Sequence, residues 1–393
     1  MASSLAVTSA IQSVATGRAA PLPWHCYAVV FGAACIPIGA LWDISWHSTI
    51  GRDTFWTPAH LLIYLGGLLP GLSCGWLVLQ STFGRAEERI ASVRVWGFRG
   101  PIGAWVTIWG SLAMLISAPF DNWWHDAYGL DVEILSPPHT VLAAGMYAVA
   151  VGALLLVVSR QNRSVSDPQQ MSSFLFVFMA GVVLTMSTII VTEESFPNQQ
   201  RTSLFYQISC AIYPLYLVIA ARASKLRWSG TGAALFYMGV MLLILWILPL
   251  FPAQPKLAPI YNPVDHMVPP SFPLLLAIPA LAIDLLMLWF GRKPNWWRDW
   301  ILAVLVGVVF LGTLLAVQWH FAKFLLSPAA ANWFFAGDGH WPYFVRPGEW
   351  QNRFWKPDED PVTLSGLGIA LALAIFKSRV ALWFGNWMAQ VKR

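Results

Sequence analysis

Ten apolar runs, each close to the length that crosses a lipid bilayer and separated by polar breaks, decide what this chain can fold into. A helix needs roughly 17 to 25 such residues to span about 30 Å of hydrocarbon. The runs lie at about 24–43, 59–83, 102–120, 139–159, 171–191, 204–222, 231–251, 271–291, 300–320 and 361–377. They are long and continuously apolar, without the ten-residue alternation of a membrane strand, so helices are expected rather than a barrel. Only 11% of the residues are charged, against about 25% in a soluble domain. The expectation is an all-α polytopic transmembrane bundle of about ten helices, arranged as five hairpins.

Orientation follows from the basic residues, which concentrate in cytoplasmic loops. With the N-terminus inside, 17 of the 24 Lys and Arg residues fall on the inner segments, among them Arg85, Arg89, Arg160, Arg222, Arg292 and Lys392. Both termini are therefore expected in the cytoplasm. The net charge of +5 describes loops facing anionic lipid and gives no reason to invoke nucleic acid. Residues 1–23 form an expected cytoplasmic tail that lacks the pattern of a signal peptide. Four cysteines, Cys26, Cys35, Cys74 and Cys210, fall within the apolar runs and never pair as Cys-x-x-Cys, which reads as packing rather than a thiolate site. Many of the 23 tryptophans sit at run ends, where an indole keeps its N–H near water.

The chemistry-bearing feature is an internal repeat at the outer side. The first outer connection carries Asp43, Trp46, His47, Gly51, Asp53, Pro58 and His60; the second carries Asp121, Trp124, His125, Gly129, Asp131, Pro137 and His139. The two series align with one single-residue gap, offset by one helix pair, so the hairpins read as copies. Residues four apart share a helix face, so Asp43 with His47, and Asp121 with His125, point the same way. His60 and His139 open the next helices and can return toward the first pair. Each hairpin thus offers one carboxylate and two imidazoles, a set that leaves positions open on a metal ion. One interfacial histidine is ordinarily just solvated, but an interface has no reason to repeat Asp, His and His in register.

The recurring Trp46, Trp124, Asp53 and Asp131 are expected behind the ligands, as packing or supporting residues. Glu193, Glu194, Asp265, His266, His320 and His340 are expected to be structural, although either glutamate has the chemistry to reach a metal. Asp284 lies well inside a run, a costly place for an acid, and the sequence names no partner for it.

Asp43, His47 and His60 resemble, in spacing, the first copper site in the C subunit of the copper-containing membrane monooxygenases, the particulate methane and ammonia monooxygenases. Asp121, His125 and His139 resemble the neighbouring second site of that subunit, whose first member is usually asparagine. The resemblance covers about residues 24–222. It implies a six-helix metal-binding core there, followed by a four-helix extension at 223–393 with a long outer loop at 320–361. It further implies that Asp43, His47 and His60 hold the copper of oxygen chemistry, acting on a small nonpolar substrate or ammonia with dioxygen. A-type and B-type subunits in a hetero-oligomer, with a trimer as one arrangement, are implied as partners. So is a prokaryotic inner or intracytoplasmic membrane, with the sites on the periplasmic or extracellular side.

Ligand type alone leaves iron and zinc open beside copper. Two other functions also stand: a metal-binding accessory protein without turnover, and a subunit of a respiratory membrane complex. A soluble hydrolase or nucleotide enzyme is excluded by the lack of a Gly-x-Ser-x-Gly elbow, Walker loop, dinucleotide fingerprint or His-Glu-x-x-His run.

Overall fold

A computed structural model describes residues 22–84, 92–128, 136–163, 169–337, 342–346 and 361–392; of Asn122, His125 and Gln169 it describes the helical backbone alone. Residues 1–21 of the expected tail, with Arg18, and also Arg85, Arg89, Gly129, Asp131, His340, Arg353, Lys356 and Arg393 lie outside the described residues, as does much of the outer loop. The helices are α1 Trp24–Thr49, α2 Pro58–Phe83, α3 Ile102–Tyr128, α4 Pro137–Arg163, α5 Gln169–Ile190, α6 Ser203–Ala223, α7 Ser229–Ile247, α8 Ala277–Phe290, α9 Trp296–Leu325 and α10 Leu364–Met388. Among the described residues nine of these ten are long and apolar enough to cross a membrane, so the chain is a helical, multi-pass membrane protein. Much of its exposed surface is apolar, with Leu72, Phe83, Leu250 and Leu364 more than two-thirds exposed, as a face meeting lipid requires.

The expected eighth span, 271–291, is a correction: helix begins only at Ala277 and runs 14 residues. Pro269, Pro270 and Pro273 explain the late start. Each lacks an N–H and disfavours helical backbone in the residue before it, so residues 271–276 of the apolar run lie outside the helix. A short hairpin, β1 Val93–Val95 and β2 Phe98–Gly100, also intervenes between α2 and α3. Its two-residue turn places Trp96 and Gly97 at φ 49° and 91°, the left-handed pair that matches strand twist.

Lipid supplies no hydrophobic force between helices, so small residues must let backbones touch. On α1 and α2, a Cβ at Gly32 would lie 2.5 Å from the Pro70 ring, and one at Gly39 would meet Ile63 at 2.8 Å and the Ala59 carbonyl at 3.2 Å. On α3 and α4, Gly103 and Gly110 face Gly152 and Gly145 just as closely. Two apolar cores result. One draws mainly on α1 to α5, and the other on α6 to α10, with Leu41 of α1 and Leu184 of α5 reaching into it. α6 packs most extensively against α10.

Buried polar groups tie the helices together at the end where α1 begins. Arg222 pairs with Asp299 at 3.1 Å, Asn386 donates to Asp299 at 2.9 Å and accepts from Arg222 at 2.6 Å, so α6, α9 and α10 share one network. Gln161 donates to the Ala223 carbonyl, and Asn162 donates to the carbonyls of Met388 and Val391, adding the end of α4. Arg292 donates to the carbonyls of Ser224 and Leu226, closing the turn before α7.

Asp284 has its partner here. Fully buried on α8, it accepts from Gly230 N at 3.1 Å and from Thr231 N and Oγ1, each at 2.7 Å. The first N–H groups of a helix have no partner within it, so a carboxylate from a neighbouring helix caps α7. Asp284→Ala is expected to destabilise the protein by about 2 to 4 kcal/mol, the scale of a lost cap plus unpaired buried donors. Unfolding in mixed detergent micelles measures the loss, and Asp284→Asn, which keeps one acceptor oxygen, should lose less.

Candidate metal centre

The first repeat closes into a cluster at the far end of α1. Asp43 and His47, one turn apart, face the same way, with Asp43 Oδ2 3.8 Å from His47 Nε2. Pro58 occupies the first turn of α2, where a missing N–H costs nothing, and this sets His60 in that turn facing α1. His60 Nε2 lies 3.1 Å from Asp43 Oδ1. One donor atom from each of the three residues lies within 4.8 Å of the others. Donors sharing one ion at about 2.0 to 2.2 Å stand about 3 to 4 Å apart, so small side-chain adjustments would seat a metal.

The orientation of His60 carries the chemistry. Its Nδ1 stands 2.9 Å from the Thr54 carbonyl, which can only accept, so Nδ1 bears the proton. A neutral His60 then turns the Nε2 lone pair toward Asp43. Oδ1 of Asp43 is buried, with Nε2 of His60 as its near neighbour. Two electron-rich atoms at that separation need a positive charge between them, supplied either by a second proton on the imidazole or by a cation. A carbonyl on Nδ1 that aims Nε2 inward is the usual support of a metal-bound histidine.

The loop between α1 and α2 holds this geometry. Gly51 adopts φ 81°, a left-handed turn that its missing side chain permits. Trp46 Nε1 donates to the Arg52 carbonyl at 3.0 Å, and Thr54 N donates to Thr57 Oγ1 at 2.8 Å. Trp46 is thus a supporting residue, as its recurrence suggested. Asp53 is closer to the cluster than expected: its Oδ2 lies 3.4 Å from His47 Nε2 and 3.5 Å from His60 Nε2. The hydrogen bond with His47 holds the Asp53 carboxyl below the usual carboxylate range, with burial opposing and the charge of His60 reinforcing it.

The second repeat is brought together in part. Asp121 Oδ1 lies 3.5 Å from His139 Nε2, and Pro137 opens α4 as Pro58 opens α2. The His125 side chain lies outside the described residues. Glu193 and Glu194 sit in a single 3-10 turn and are not among the converging donors. Asp265 and His266 pair with each other at 2.5 Å. The four cysteines are buried free thiols.

Two features of the site lay beyond sequence reasoning. Residues from the far half of the chain brace the C-terminal end of α1: Ser45 Oγ donates to the Val268 carbonyl, Thr49 Oγ1 accepts from Val268 N, and Tyr343 N donates to the Ser48 carbonyl. Tyr343 also covers Gly51, where a Cβ would fall 2.1 Å from its hydroxyl. No periodicity or spacing links residues so far apart. Comparison with family models, curated proteins and solved structures returns no match.

Gly39 lies one turn before Asp43 and touches α2 one residue before His60, so it sets the gap the cluster spans. Gly39→Val should push the helix ends apart and weaken metal binding by at least about tenfold, with every donor still present. Gly75→Val, at a position with open space around it, should leave metal binding unchanged. A competitive metal titration of the purified variants distinguishes the two.

Proposed function

We propose that this chain is the metal-binding subunit of a copper-dependent membrane monooxygenase, with Asp43, His47 and His60 as the ligands of its working centre. The observation that carries the reading is the convergence of these three side chains, from two helices, with Nε2 of His60 aimed inward. The donor set fits copper, for which imidazole is a preferred ligand, and three protein donors leave room for dioxygen.

Bound copper would supply the binding and reduction of dioxygen. The protein's part is to hold the donors and shape the approach. His47 is about half exposed, at 48%, so the centre opens outward on that side, whereas His60, at 20%, anchors it from below. Phe55, Trp56 and Tyr64 form a ring-on-ring group beside His60, with Phe55 and Trp56 largely exposed. A small nonpolar substrate partitioned into lipid would meet this aromatic surface before the polar cluster. Asp121 and His139, with His125 on the same helix as Asp121, are the proposed second site.

Under this reading the centre faces the periplasmic or extracellular side of a prokaryotic inner or intracytoplasmic membrane, opposite the basic network. A-type and B-type subunits complete the hetero-oligomer. Copper is the proposed metal, with iron and zinc as outcomes that metal analysis would reveal.

The test is copper content and oxygen-dependent substrate oxidation in native membranes carrying the intact complex. His47→Ala and His60→Ala should each remove the centre's copper and abolish oxidation. Copper retained in both variants overturns the reading; copper binding without oxidation in the unaltered complex favours the accessory role. Metal must displace protons from the imidazoles, so apparent affinity should fall as pH is lowered, by roughly tenfold per unit for each proton displaced. Titrations from pH 8 to 5 measure that slope.

A further inference from the structure

The donors around His47 and His60 number more than the three converging residues. Asp53 approaches both imidazoles from the opposite chain segment, the α1–α2 turn, at 3.4 and 3.5 Å from their Nε2 atoms. These separations match or better that between Asp43 and His47, 3.8 Å, although Asp43 shares a helix face with His47. The placement of Asp53 is built, not incidental. Arg52, next to it, is held by the Trp46 indole; Thr54, on its other side, is held through its N–H by Thr57 and through its carbonyl by His60. Gly51, two residues before it, is pinned under Tyr343.

Resting on the reading of this cluster as a metal centre, we propose that Asp53 Oδ2 is a fourth ligand, so that the site is a two-histidine, two-carboxylate set selective for a divalent cation. Charge supplies the selectivity. Two carboxylates and two neutral imidazoles carry −2, which a divalent ion neutralises and a monovalent ion leaves at −1. Asp43 and Asp53 are 23% and 37% exposed, so water screens part of the charge, and neutrality favours the divalent state to that reduced extent. With copper, the set therefore holds Cu2+ more strongly, relative to Cu+, than one aspartate and two histidines would. Carboxylate oxygen is also the harder donor, which works in the same direction.

A supporting residue behind the ligands would act differently. Its loss loosens the donors for either oxidation state alike, typically by about 10 to 100-fold. The discriminating quantity is the ratio of Cu2+ to Cu+ affinity, measured by competition with chelators of known strength on the detergent-solubilised full chain. Asp53→Asn should weaken Cu2+ binding by more than about 100-fold and Cu+ binding by about tenfold at most, lowering the ratio. Asp53→Glu, which keeps the charge, should restore the ratio to within about tenfold of the original. The paramagnetic spectrum of bound Cu2+ should change in Asp53→Asn, as loss of an oxygen ligand requires. Melting of the metal-free variants checks that the fold survives. Equal weakening of both oxidation states, or none, overturns the fourth-ligand assignment while leaving the metal centre standing. If His47→Ala leaves the affinity for both ions intact, the metal centre itself falls and this assignment with it.

Discussion

Close contact between α1 and α2 is the constraint on which the cluster at the C-terminal end of α1 depends. In a bilayer, helices gain little by hiding apolar side chains from lipid tails that are equally apolar. Contact between backbones must supply the association. Gly32 against Pro70, Gly66 against Ile36 and Gly39 against Ile63 bring the two axes together along their length. Asp43 stands one turn beyond the last of these contacts, and His60 directly follows Ala59, whose carbonyl touches Gly39. The separation of carboxylate and imidazole is therefore inherited from helix packing. The interaction between the polar groups does not have to create it.

The second half of the chain belongs to the same construction. Its extended segment, released from helix by Pro269, Pro270 and Pro273, folds back so that Met267 packs beside Ile50, Trp42 and Trp46. Val268 bonds at Ser45 and Thr49, and Lys256 N donates to the Ile50 carbonyl. Irregular backbone is tolerated in a membrane protein where other protein covers it and fills its hydrogen bonds, and here it also braces the end of α1. At the opposite end, the Arg222–Asp299–Asn386 network and the Asp284 cap fix where α6 to α10 begin and end. A buried ion pair returns little net stability, but it penalises any register that separates its members.

Much of this was legible from residue spacing, because helical geometry is local. Four-residue spacing placed Asp43 and His47 on one face, and a proline two residues before each later histidine marked the starts of α2 and α4. What failed was whatever depended on distant contact or on competition between two local signals. Hydropathy favoured a full span at 271–291, but three prolines prevailed and left 14 helical residues. The placement of Asp53 beside both imidazoles was not legible, because the turn that carries it takes its shape from Gly51 beneath Tyr343, nearly three hundred residues away in sequence. The partner of Asp284 was hidden for the same reason: it is the start of another helix, not a side chain with opposite charge.

The way the cluster is held favours the proposed cation site over a stabilising polar contact. A polar group buried for stability alone would use its own atoms to satisfy its neighbours. Around the first repeat, the holding bonds fall on residues adjacent to the donors instead. Trp46 and Ser48 flank His47, and Arg52 and Thr54 flank Asp53; each makes a bond that fixes the backbone. His60 spends only its outer nitrogen, on the Thr54 carbonyl. The inner nitrogens and the carboxylate oxygens face one another, with His47 and Asp53 sharing a hydrogen bond, and two carboxylates gathered there cost free energy until a positive charge joins them. Scaffolding that bypasses the donors and accepts this cost is what a preorganised cation site requires.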